Sequence, residues 1–287
     1  MGKKIEVIKD VIYGKVKNRN LLLDIIKISG EVNKKLPVIV FIHGGGWIAG
    51  NKESGWTKLM PFVENGYIGV SISYRLSNEA NFPSQIEDCK CAIRFLRANS
   101  EKYNIDPEKI GVWGSSAGGN LVCLLGVTDD NTFNESGGWK GYSSKVSAVC
   151  DWFGRTNFLI DIKKSDDENS PYSYISKLLG GPIEENLEKA IKVSPYYYEC
   201  KKCPPFLIVH GENDNIVPYS QSEMFYNKLR RNKVDVTLIK VKNAGHGTGF
   251  GEKVLNFVVS FFDYHLRNQK DKWNKIVKNR RFLEIHP

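Results

Sequence analysis

Continuous apolar runs, rather than alternating ones, are what most constrain this chain. Pro37-Val38-Ile39-Val40-Phe41-Ile42-His43 holds five consecutive apolar side chains after its proline. Such a run suits a strand buried on both faces, and that burial requires helices packed on each side of the sheet. Comparable runs recur at 67–74, 109–113, 146–153, 206–210 and 234–241. Between them the spacing predicts helices at 57–64, 83–100, 117–127, 220–231 and 252–267. In 83–100, Ile86, Cys89, Ile93 and Leu96 share one face at steps of three to four, and Pro83 suits a first turn. Strands alternating with helices give the α/β class, with a mostly parallel central sheet flanked by helices.

Three stretches depart from the alternation. Residues 5–16 and 21–28 are joined by a polar turn at 17–20, which predicts an N-terminal antiparallel hairpin. Residues 155–200 are polar at first and then tyrosine-rich. They are too long for a plain crossover, so they are expected to form an insertion over one rim of the sheet, a candidate lid. From Tyr264 to the end there are seven Lys or Arg against two acids. That predicts a basic C-terminal tail over 268–287, read as a solvated helix on the domain edge. The length of 287 residues fits one domain spanning 1–287.

Composition narrows the functional classes. With 41% hydrophobic and 25% charged residues the chain is neither disordered nor a small disulfide scaffold. The net charge of +9 would suit an anionic surface, but no basic motif interleaved with aromatics accompanies it. No nucleic-acid or membrane partner is therefore expected. The first residues carry charge but no apolar signal core, so an intracellular, cytoplasmic protein is expected unless a leader has been trimmed. Six cysteines are too sparse for a disulfide framework. Cys200-x-x-Cys203 with Cys89-x-Cys91 has some look of a four-thiolate zinc site, but free thiols and no metal are the expectation.

The chemistry-bearing residues lie just after predicted strands. Gly114-Ser115-Ser116-Ala117-Gly118 fits G-x-S-x-G between a strand and a helix. A serine nucleophile there must sit on a turn too tight for bulky neighbours, hence the flanking glycines. Ser116 is the candidate nucleophile; Ser115 is the register alternative but lacks the glycine pair. His43-Gly44-Gly45-Gly46-Trp47 leaves backbone N–H groups bare at the end of a strand. Gly44 and Gly45, with Ala117, are the candidate oxyanion hole. His43 is expected to orient that loop. A phosphate loop is disfavoured because no Lys-Ser/Thr follows.

A base and an acid should follow in the order serine, acid, histidine. Among five histidines, His246 lies in a glycine-rich loop after the last predicted strand. His210 closes a buried strand and reads as structural, while His265 and His286 lie on the last helix and in the tail. Asp214, after the strand 206–210, is the candidate acid, followed by Glu212 and then by Asp151. Trp47 and Trp152 are candidate pocket residues, with core packing the alternative; Tyr196-Tyr197-Tyr198 could join them, but packing is the better expectation for that run.

With these three elements in order, the chain resembles the alpha/beta-hydrolase superfamily over about residues 20–267, in the HGGG-bearing carboxylesterase branch related to hormone-sensitive lipase. Tyr74-Arg75-Leu76, Phe82-Pro83 with Asp88, Tyr103-Asn104-Ile105-Asp106-Pro107 and Ser115-Ser116-Ala117-Gly118-Gly119-Asn120 are also similar to that branch. Asp151-Trp152-Phe153-Gly154 resembles bacterial acetyl xylan and feruloyl esterases, which usually carry proline where this chain has Arg155. The resemblance implies hydrolysis of short acyl esters of carbohydrate by Ser116, Asp214 and His246, without a cofactor. It also implies an open site with 155–200 as its cover. Arylformamidase-like amide hydrolysis, a peptidase related to prolyl oligopeptidases and an inactive ligand-binding homologue are the alternatives. An intact triad argues against the last.

Overall fold

The computed structural model describes residues 4–30, 34–133, 137–160, 171–200, 202–277 and 282–286, the side chains of 171–173 excepted. Strands β1 (Ile5–Val16) and β2 (Arg19–Ile28) form the antiparallel hairpin. Its turn is shorter than expected, because Lys17 takes a φ of 51° and β2 begins at Arg19. The apolar runs become β3 (Leu36–Ile42), β4 (Ile68–Ile72), β5 (Ile105–Ser115), β6 (Ala148–Trp152), β7 (Phe206–Gly211) and β8 (Val236–Val241). With β9 (Phe282–Ile285) they make one sheet ordered β1-β2-β4-β3-β5-β6-β7-β8-β9. β2 pairs antiparallel with β4, and every pairing from β4 to β9 is parallel.

Helices α1 (Trp56–Glu64), α2 (Ser84–Ala98), α3 (Ser100–Tyr103), α4 (Ala117–Val127), α5 (Pro171–Leu179), α6 (Leu187–Lys192), α7 (Ser220–Arg231), α8 (Glu252–Arg267) and α9 (Lys270–Val277) complete it. Alternation along β3 divides the core. Val38, Val40 and Ile42 pack with residues of α2, α4 and α7, whereas Ile39 and Phe41 pack with α1, α8 and α9. Every residue of β3, β4, β6 and β7 is buried, as a strand covered on both faces requires. Among the described residues no helix is long and apolar enough to cross a membrane.

Two expectations need correction. The tail is not simply a solvated helix: Trp273 of α9 is buried edge-on to Phe261, and β9 extends the sheet beside β8. The strand was hidden because Phe282-Leu283-Glu284-Ile285 is only four residues long and follows a dense run of lysines and arginines. Nor are all six thiols free. Cys200 and Cys203 form a disulfide, their Cα atoms 5.4 Å apart and within bridging range, while Cys89, Cys91, Cys123 and Cys150 are buried thiols. A count and a spacing say nothing of how the loop before Pro204 brings the two sulfurs together. Among the described residues no group of three or more His, Cys, Asp or Glu is placed to hold a metal ion.

A buried ion pair ties the segment after β4 to α2. Arg75 donates from Nη2 to Asp88 Oδ1 at 2.7 Å and from Nε to Oδ2 at 2.8 Å, and its backbone N–H reaches the same carboxylate at 2.9 Å. Burial raises the Asp88 pKa, an effect that the bonds from Arg75 oppose. Neighbouring Tyr74 donates its hydroxyl to the His43 carbonyl at 3.1 Å, so this segment supports the glycine loop. Asp88→Ala removes this two-point partner of the guanidinium and leaves Glu87 3.4 Å from Nη2. The expected loss is about 3 kcal/mol in urea unfolding, and a loss below about 1 kcal/mol would contradict this role.

Candidate active site

Ser116 sits between β5 and α4 with φ 55° and ψ −118°, a conformation that a side-chain-bearing residue adopts only when its surroundings impose it. The imposition comes from close backbone packing. A Cβ on Gly114 would lie 2.2 Å from the Gly118 carbonyl oxygen, and one on Gly118 would lie 2.0 Å from that of Ile42. The glycine pair thus lets the turn close on itself and on the end of β3. The Ser116 N–H donates to the Trp152 carbonyl at 2.8 Å, tying the turn to β6. Ala117 begins α4, so its N–H has no intrahelical acceptor.

His246 comes from the loop after β8 and Asp214 from the loop after β7. Ser116 Oγ lies 2.9 Å from His246 Nε2, and His246 Nδ1 lies 2.7 Å from Asp214 Oδ2. An ionised carboxylate can only accept, so Nδ1 carries the proton and Nε2 is left to accept from the serine hydroxyl. The other oxygen, Asp214 Oδ1, accepts the N–H groups of Ile216 and Val217, each at 2.9 Å. Burial alone would raise the Asp214 pKa. Hydrogen bonds from His210, His246 and the Val217 N–H outweigh it and hold the carboxyl well below the usual range.

His210 is tied into the same acid. Its Nε2 lies 2.9 Å from the Val217 carbonyl and 3.2 Å from Asp214 Oδ2, while Nδ1 accepts from Ser222 at 2.7 Å. It braces the acid loop and makes no hydrogen bond to Ser116. The other candidate acids lie elsewhere. Glu212 pairs with Lys242 and Lys240 at 2.7 and 3.4 Å. Asp151 is fully buried against the Gly154 N–H, its pKa pushed up to about 6 by burial. Neither forms a hydrogen bond to His246.

The glycine loop lies directly against the serine. A Cβ on Gly44 would stand 3.2 Å from Ser116 Cβ and 2.8 Å from the Ser115 carbonyl oxygen. The Gly45 carbonyl, at a residue with φ 107°, accepts the N–H groups of Ile48 and Ala49, both at 3.1 Å. His43 is buried, stacked on Tyr74 with centroids 4.3 Å apart, and its Nδ1 is 2.7 Å from the Gly44 carbonyl. That is the orienting position expected of it.

A cavity of about 530 Å³ opens over Ser116. Gly44, Gly45, Ala117, His246, Trp47 and Trp152 all line it. Its walls also include residues that the sequence did not mark as lining it. Phe153 packs on the His246 ring at 4.7 Å, Tyr174 and Ile175 come from α5, and Lys58 comes from α1. Of the expected cover, 161–170 lie outside the described residues, but Arg155 and α5 border the opening. The tyrosine run is not part of it: Tyr196 borders a separate cleft with Met224, and Tyr198 packs near Phe133. A serine hydroxyl bonded to an imidazole, itself held by a carboxylate, is chemically equipped for acyl transfer.

Comparison with known proteins agrees with this chemistry. The BD-FAE family profile matches residues 23–229. Esterase LipC of Mycobacterium tuberculosis is 30% identical over 234 residues, covering 79% of this chain and 56% of LipC. The chain spans about half the length of the curated relatives it matches. A solved structure described as a truncated form of a carbohydrate esterase from gut microbiota is 30% identical with a TM-score of 0.83, covering 93% of this chain and 98% of that one. The butyrate-bound Est2 esterase of Thermogutta terrifontis is 25% identical with a TM-score of 0.68, covering 86% and 85%. The sheet order, the serine turn at its centre and a profile match over most of the length lead to one conclusion: this chain has the alpha/beta-hydrolase fold and belongs to the BD-FAE family.

Proposed function

We propose that this protein is a serine carboxylesterase that hydrolyses short-chain acyl esters through an acyl-serine intermediate, with acetyl or feruloyl esters of plant carbohydrate as its substrate class. The observation that carries the reading is the unbroken hydrogen-bonded chain from Ser116 through His246 to Asp214, beside glycine backbone packed against the serine. His246 Nε2 takes the hydroxyl proton as Ser116 Oγ attacks the ester carbonyl. Asp214 stabilises the imidazolium and fixes its tautomer. The developing oxyanion is met by the N–H groups of Gly44, Gly45 and Ala117, each such donor being worth roughly 3–4 kcal/mol in comparable enzymes. His246 then returns the proton to the leaving alcohol, and water repeats the sequence on the acyl-enzyme.

Substrate size follows from the cavity. About 530 Å³ must hold both acyl group and alcohol, which favours a short acyl chain when the alcohol is a sugar. The likeness to a carbohydrate esterase and to an esterase holding butyrate supports the same choice. Arg155 and α5, through Tyr174 and Ile175, would act as a partial cover. The test is a p-nitrophenyl ester series from acetate to octanoate. The expected result is highest kcat/KM at acetate or butyrate and a fall of at least about tenfold by octanoate, one tenfold step being about 1.4 kcal/mol. No hydrolysis of any member would overturn the reading in favour of an amide substrate.

A further inference from the structure

Two cations and no carboxylate line the cavity over Ser116 among the described residues. Arg155 is folded back, its guanidinium over the Phe158 ring and Nη1 towards the Ile160 carbonyl. Lys58 is placed differently. It lies near the start of α1, half-buried, with Nζ 5.8 Å from the Phe41 ring centroid and 5.9 Å from that of Trp152. It lines both the Ser116 cavity and an adjoining cleft of about 200 Å³ that Trp152 and Phe250 also border.

The fold supplies its other enclosed lysines with oxygen partners. Lys52 reaches Asp10, Asp24 and Glu53, Lys90 reaches the carbonyls of Asp129 and Thr132, and Lys228 reaches the carbonyl of Tyr196. Lys58 has aromatic faces and no hydrogen bond or ion pair to a described residue, Glu252 in the same cleft included. Burial pushes its pKa down. An ammonium on ring faces, partly withdrawn from water at the edge of an apolar cavity, is completed by an anion that the cavity's occupant brings.

We propose that Lys58 is a specificity determinant that binds a carboxylate on the substrate, so that the preferred esters are acidic ones, with the carboxylate on either the sugar-like alcohol or the acyl group. The proposal rests on the esterase reading above. Two matched pairs test it and separate the two sources: 3-acetoxybenzoate against its neutral methyl ester, and monoethyl succinate against ethyl butyrate. The readout is the ratio of kcat/KM within each pair, so a general loss of activity cancels.

The wild type is expected to favour the acidic member of one pair by about tenfold. Lys58→Arg should keep that preference, Lys58→Gln bring the ratio near one, and Lys58→Glu invert it. The preference should shrink as ionic strength rises, because the cavity is open to solvent. Hydrolysis with no acidic preference, or with a ratio that Lys58→Gln and Lys58→Glu leave alone, overturns this proposal and spares the esterase reading. No hydrolysis of any of the four esters overturns both.

Discussion

Replacing Ser116 by alanine is expected to lower kcat for p-nitrophenyl acetate by roughly a million-fold, the loss seen when a triad serine is removed from a comparable hydrolase. The size follows from what remains. The oxyanion donors and the cavity survive, but no covalent intermediate can form, and His246 can only assist a water that nothing positions. Stability should change little. The side chain loses one hydrogen bond, to His246 at 2.9 Å, worth about 1 kcal/mol, and the strained backbone is retained. Activity within tenfold of wild type, measured with a folded variant, would place the nucleophile elsewhere.

Asp214→Asn carries the second large effect, and its direction can be worked out from the hydrogen bonds. The N–H groups of Ile216 and Val217 both point at Oδ1, so the amide oxygen of asparagine must take that position. The NH₂ group then occupies the place of Oδ2, facing His246 Nδ1 and His210 Nε2. His246 can accept from it only by moving its own proton to Nε2, where the ring no longer accepts from Ser116. The expected loss is about 10⁴-fold in kcat with the fold intact. Glu212→Gln is the matched control. Glu212 pairs with Lys242 and Lys240, so its change should leave kcat within about twofold. Equal losses in the two variants, read by steady-state kinetics, would contradict the assignment of the acid.

The candidate site residues could be picked out because each follows a strand and carries a local demand. Ser116 needed glycine at 114 and 118, and the structure shows both meeting backbone oxygens at about 2 Å if given a Cβ. The hairpin and the continuous runs were legible for a similar reason, since burial on one face or on two leaves different periods in the sequence. What escaped depends on contacts between distant segments. β9 is recognisable only once β8 offers an edge, and the Cys200–Cys203 bond only once the loop is closed. The cavity walls from α1 and α5 have no motif, because Lys58 and Tyr174 need only arrive at the right place. The tyrosine run, for which packing was the better expectation, lies away from the cavity: aromatic density near a site is not membership of it.

The central claim is that Ser116 becomes covalently acylated, and the most direct measurement is intact-protein mass after exposure to diethyl p-nitrophenyl phosphate, followed by peptide mapping. The account predicts one diethylphosphoryl group per chain on the peptide containing Ser116, with none in Ser116→Ala and release of one equivalent of p-nitrophenol. An unmodified protein, or a label that persists in Ser116→Ala, would contradict it.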